Sequence, residues 1–145
     1  MTYSAIARDF LALLCSSQGL GALAMDINRS HATNPRWPGH ARFHLVWQAI
    51  SFAILSILEV AALFIPGPLE KERCYLVAIL ASIPMLAFFG ALICGRLYDG
   101  TLSNPIGILP VRIAALGFKL HIDLSLVVEI VAILLLVVIV ELFGY

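Results

Sequence analysis

The sequence predicts an all-α, polytopic integral membrane protein, with four transmembrane helices in an antiparallel bundle that forms one domain over residues 1–145. Three observations point there. Hydrophobic residues make up 61% of the chain and charged residues 12%, far below the roughly one quarter usual in soluble domains. Mean hydropathy is +1.00. Four runs with few or no charges approach the roughly 20 residues that a helix rising 1.5 Å per residue needs to cross a hydrocarbon core about 30 Å thick.

The helices are expected at about 5–25, 38–65, 74–97 and 121–143. The first contains the apolar run Phe10–Met25, short unless Ala5 to Asp9 adds a turn. Arg8, the apolar stretch and Ala22-Leu23-Ala24 also imitate a secretory signal with a small-residue cleavage site. Basic residues argue for retention instead. Arg29, Arg36, Arg42, Arg96, Arg112 and Lys119 flank the first and third connections, against Arg8, Lys71 and Arg73 on the other side. The positive-inside tendency then places both long connections in the cytoplasm and both termini outside, an orientation opposite to the one a cleaved signal imposes.

Pro38 suits the first turn of the second helix, where a missing N–H is harmless. Pro66-Gly67-Pro68 stops it, and Gly67 to Arg73 reads as a solvated hairpin turn with no function of its own. The third helix carries Pro84, which removes one helical hydrogen bond, and Gly90 and Gly95, which permit close approach by a neighbour. Next comes the turn-rich stretch Tyr98 to Pro105. Pro110 to Lys119 reads as a short helix lying in the interface, before the apolar fourth helix.

Nine acids balance nine bases, so charge gives no reason for a nucleic-acid partner. Cys15, Cys74 and Cys94 lie in or beside apolar runs without CxxC spacing and read as small packing residues.

The chemistry-bearing residues concentrate in Asp26–Trp47, DINRSHATNPRWPGHARFHLVW, which holds three of the four histidines and both tryptophans. With four crossings, the first connection and the residues before the fourth helix share one membrane face. That brings Asp26, Asn28, His31, His40, His44, Asp99, Asn104, His121 and Asp123 to the same side. His40 and His44, four residues apart, project from one helix face, and Gln48 extends it inward. His31, His40, His44 and Asp26 are candidate ligands for a divalent metal ion, the one cofactor this pattern suggests. The same side chains serve equally as acid and base without a metal, because the ordinary imidazole pKa lies near neutrality. Asn28, Arg42, Trp37, Trp47 and Gln48 are candidate substrate-binding residues. Against these stands a plainer reading, in which histidine, arginine and tryptophan anchor the chain at lipid headgroups. Glu129, a little over two turns into the fourth helix, is the deep candidate acid, since an intramembrane carboxyl costs about 2.5–3.5 kcal/mol on insertion scales unless neutralised or paired. Glu59 and Glu141 are expected near the outer boundary, where snorkelling or mutual hydrogen bonding explains them.

The residues Asp26-x-Asn28-x-x-His31, Asn34-Pro35-x-Trp37-Pro38-x-His40-Ala41-Arg42-Phe43-His44 and Trp47 resemble a signature of small, uncharacterised four-helix membrane proteins of bacteria and fungi. That resemblance implies the four-helix architecture and brings no reaction with it. In architecture alone the chain is similar to emopamil-binding-type sterol isomerases and small membrane terpene cyclases, which protonate lipophilic substrates.

Three functions fit. The leading expectation is a membrane enzyme acting on an isoprenoid, sterol, polyketide or lipid, with catalytic His40, His44, His31, Asp26 and Glu129. An accessory or scaffold protein, binding lipids, a membrane partner or further copies of itself, comes second. A small ion or proton transporter using Glu129 and Glu59 comes third.

Overall fold

The computed structural model describes residues 3–102, 110–115 and 118–144, with side chains at 4–102, 110–111 and 122–144. Four helices are present: α1 (Tyr3–Asp26), α2 (Gly39–Phe64), α3 (Glu70–Cys94) and α4 (Leu124–Leu142). A 3-10 turn, Gly95–Leu97, follows α3. An antiparallel hairpin of β1 (Val111–Ala115) and β2 (Phe118–Ile122) precedes α4.

Three of the helical segments, Gly39–Phe64, Glu70–Leu97 and Leu124–Leu142, are long and apolar enough to cross a membrane. Their apolar side chains mostly face outward, as they must when the surrounding solvent is hydrocarbon. The 24 residues of α1 have the length but not the hydropathy, because Arg8, Asp9 and the Ser16-Ser17-Gln18 cluster interrupt its apolar run.

The chain divides into two compact units. In the first, residues 1–81 and 136–145, α1 and α2 pack antiparallel around a small-residue contact. A Cβ added at Gly19 would sit 2.6 Å from Ser56 Cβ and 3.3 Å from Ala53 Cα, so only glycine admits this approach. One turn away, Ser56 Oγ donates to the Cys15 carbonyl at 2.7 Å. Leu11, Cys15, Ala49 and Leu63 complete the buried seam. Gln18 Nε2 donates to the Ala81 carbonyl at 2.9 Å, and Tyr75 meets Phe143 edge-on at 5.9 Å. At the far end, the Arg8 guanidinium lies 4.9 Å over the Phe64 ring and reaches Glu70 at 3.2 Å.

Pro38 stands just before α2, with φ −55° and ψ 143°, and its carbonyl accepts from Arg42 N at 3.1 Å. At the other end Ile65 is extended, Gly67 takes φ +146°, and Arg73 Nη2 donates to the Ile65 carbonyl. The hairpin turn expected up to Arg73 is therefore shorter. Helix α3 begins at Glu70, whose first turn carries Glu70 and Glu72 where a helix N-terminus favours negative charge.

The second unit comprises residues 82–135. Pro84 lies inside α3 without ending it. After α3, Tyr98 donates its hydroxyl to the Ala91 carbonyl at 2.7 Å, and Asp99 adopts φ 53° while Gly100 N bonds back to Gly95 O at 2.8 Å. The close approach expected at Gly90 is absent, since an added Cβ there meets nothing within 4 Å. The interfacial helix expected at Pro110–Lys119 is replaced by the hairpin, with Arg112 opposite His121 and Ala115 opposite Phe118. Residues 118–122 (FKLHI) alternate apolar and polar, and 111–113 (VRI) do the same, which is the strand signal. Asn104 and Pro105, and the side chains of Arg112, Lys119 and His121, lie outside the described residues.

Gly19→Ala is expected to destabilise the α1–α2 pair by about 1–3 kcal/mol through overpacking. Gly90→Ala, facing open space, should be neutral or stabilising by up to about 1 kcal/mol through helix propensity. Thermal unfolding of both variants in detergent checks the contrast.

Candidate functional site

The segment between α1 and α2 is built by asparagines that occupy backbone groups left open at a helix end. Asn28 Nδ2 donates to the carbonyls of Ala24 and Met25, capping α1, and its Oδ1 accepts from Ser30 N at 2.8 Å and Ser30 Oγ at 2.6 Å. Asn34, only 3% exposed, donates to the Ser30 carbonyl at 2.9 Å and accepts from Arg36 N at 3.0 Å. These are Asx-type local bonds, and Asn34-Pro35 was the visible sign of a turn there. Its structural weight escaped the sequence reading because burial is not visible in a dipeptide.

On this frame sits His31. Its Nδ1 lies 2.8 Å from Ser30 Oγ. With the Ser30 proton directed to Asn28 Oδ1, His31 Nδ1 is the donor and Nε2 carries the lone pair. The ring packs edge-on against Trp37 at 5.4 Å. Asp26 is near enough to interact electrostatically with His31. Burial pushes the Asp26 carboxyl above the ordinary carboxylate range, and His31 partly opposes that.

A second group lies on the first turns of α2. His40 and His44 meet with Nε2 atoms 3.0 Å apart and rings edge to face at 4.4 Å. Helical geometry places residues four apart on the same face. A hydrogen bond between two imidazole nitrogens requires one to donate and the other to accept. Phe43 lies 5.9 Å and Trp47 5.7 Å from the His44 ring, so an exposed aromatic surface borders the pair. Gln48 is exposed one turn beyond His44. Arg42 is half-buried, and its Nε is enclosed with no hydrogen-bond partner among the described residues.

The single cluster expected from the sequence thus resolves into two groups, Asp26-Asn28-Ser30-His31 and His40-His44-Trp47. Among the described residues, no three or more His, Cys, Asp or Glu side chains gather as a metal set. His31, His40, His44 and Asp26 therefore do not fit one ion, and the His40–His44 pair by itself supplies fewer than the three protein ligands typical of catalytic zinc. Glu129, half-buried in α4, and Asp123, which accepts from Ser125 N at 2.9 Å, belong to the second unit. The backbone of His121 lies in β2 of that unit.

Glu59 departs most from expectation. It does not snorkel at a boundary but is 3% exposed, inside the α1–α2 unit. Its spacing from Ser56, one helical turn away on the same face, was the available signal.

Asn34→Ala is expected to cost about 1–3 kcal/mol, because it orphans enclosed backbone groups, and to speed amide exchange at Ser30–Trp37; hydrogen exchange in detergent reads both. In Asp26 the native carboxyl holds its proton more tightly than the unfolded one, so the native state binds more protons just above the ordinary carboxylate range and stability falls as pH rises through that window. Asp26→Asn should flatten this slope and raise the neutral-pH thermal midpoint. No protein-family model, curated protein or solved structure matches the chain.

Proposed function

We propose that the protein is an integral membrane enzyme that moves protons on a lipophilic small molecule at the water–lipid boundary, with His40 and His44 as its acid–base pair. The observation that carries this reading is the 3.0 Å Nε2–Nε2 contact on an exposed helix face edged by Phe43 and Trp47. With Nε2 bonded to Nε2, the two Nδ1 atoms of the neutral pair are left as one N–H and one lone pair. A reaction that adds a proton at one end of a double bond and removes one from the carbon beyond its other end, as double-bond isomerisation does, needs those two groups and leaves net charge unchanged. The aromatic border suits an apolar substrate arriving from the membrane, with a polar end toward Gln48 and Arg42.

In this reading α1 is the fourth crossing, making an antiparallel four-helix bundle with both long connections cytoplasmic. About 36 Å of helix in α1 and its buried seam against α2 support the crossing. The excess of basic residues flanking the long connections supports the orientation. Asp26 and His31, on the same connection as the pair, orient the substrate in this reading.

The test uses purified protein in lipid nanodiscs incubated with a bacterial or fungal lipid extract, with products followed by mass spectrometry. A product formed by the unaltered chain should fall about 100-fold or more in His40→Gln and in His44→Gln, the range general acid–base groups command. Both positions are exposed, so thermal midpoints should stay near that of the unaltered protein. Undiminished product in both variants would sink the proposal. A stoichiometric copurified partner, retained in both, would favour an accessory role.

A further inference from the structure

The histidine pair leaves one buried ionisable group of the same unit unexplained. Glu59 is 97% buried by its 3% exposure, and its Oε1 is enclosed with no hydrogen-bond partner among the described residues. Buried apolar residues of the same two helices include Leu63 on α2 and Leu11 and Cys15 on α1. Among the described residues, the titratable group that bonds it is the Cys15 thiol, itself 0% exposed, through a side-chain hydrogen bond. Ser56, a turn away, has already committed its hydroxyl proton to the Cys15 carbonyl at 2.7 Å.

No cation neutralises this carboxyl among the described residues. Arg8 is held by Asp9 at 3.4 Å and Glu70 at 3.2 Å and lies over Phe64, and Arg73 donates to the Ile65 carbonyl. From α3, the charged neighbours of Cys74 are Glu70, Arg8 and Arg73. From α4, Glu141 is exposed. An ionised carboxylate enclosed with no cation beside it, one oxygen unpartnered and a thiol as its hydrogen-bond partner, is costly, and such a group takes up a proton instead.

We propose that Glu59, set against Cys15 and Ser56 in the α1–α2 seam, is a proton-binding site whose exchangeable proton makes it a target for apolar carbodiimides. The proposal does not depend on the histidine chemistry. In the labelling step the Glu59 O–H proton passes to one carbodiimide nitrogen while the carboxyl oxygen bonds the central carbon, converting one C=N to C–N. The O-acylisourea formed then shifts its acyl group from oxygen to nitrogen, giving a stable N-acylurea that retains every atom of the reagent.

Two readouts on the full chain in nanodiscs test this. Infrared spectroscopy at neutral pH should show a protonated-carboxyl C=O band that shifts in D2O and is lost in Glu59→Gln. Peptide mapping after dicyclohexylcarbodiimide treatment should place the reagent's full mass on Glu59 and leave the exposed Glu70 and Glu72 unmodified. The mapping uses the unaltered chain and therefore stands even if Glu59→Gln fails to fold. A band that ignores D2O would mark a static buried acid and overturn the proposal. An unmodified Glu59 would overturn it as well.

Discussion

The first unit depends on how closely α1 and α2 approach at Gly19. In hydrocarbon, apolar side chains gain nothing from leaving solvent for each other, so helix association rests on packing and on hydrogen bonds between helices. Gly19 supplies the packing by letting the α2 backbone near Ala53 and Ser56 come within reach. Ser56 supplies the hydrogen bond, to the Cys15 carbonyl. That approach encloses Cys15 and Glu59, and it sets where α2 begins relative to the end of α1. The short segment from Ile27 to Pro38 must then span a fixed gap, and its Asn28 and Asn34 bonds fold it tightly enough to do so.

The polar residues of this unit fall into two classes by what they satisfy. Asn28 and Asn34 use their amides on backbone groups at the end of α1 and in the following turn, and so act as architecture. His40 and His44 have rings directed at each other and at solvent. A side chain whose hydrogen-bonding capacity is spent on the main chain cannot also turn toward a substrate without loosening the fold. For this reason the imidazole pair carries the functional reading and the asparagines of the same signature do not.

Glu59 and the histidine pair are separated along α2 by 15 residues from His44, about 22 Å of helix. The two sites therefore present opposite physical settings on one element. The imidazoles at the start of α2 are exposed, whereas the Glu59 carboxyl is enclosed in the seam with α1.

The sequence by itself determined that the chain is helical and apolar, with α2 bounded by Pro38 and by Pro66-Gly67-Pro68 and with His40 and His44 on one face. These follow from short-range rules: backbone chemistry at proline and glycine, the length needed to span hydrocarbon, and a helical repeat of 3.6 residues. The alternation in Phe118–Ile122 was equally local, but the stretch was read as an interfacial helix. Only the tertiary structure decided that His31 with Asp26 stands as a group separate from His40 with His44, and that Gly19 rather than Gly90 is the point of close approach. Burial of Glu59 was decided there too. Each of these depends on which face of one helix meets which face of another, and the apolar residues that surround α1 and α2 leave that choice open until backbone proximity and the Ser56 hydrogen bond select it.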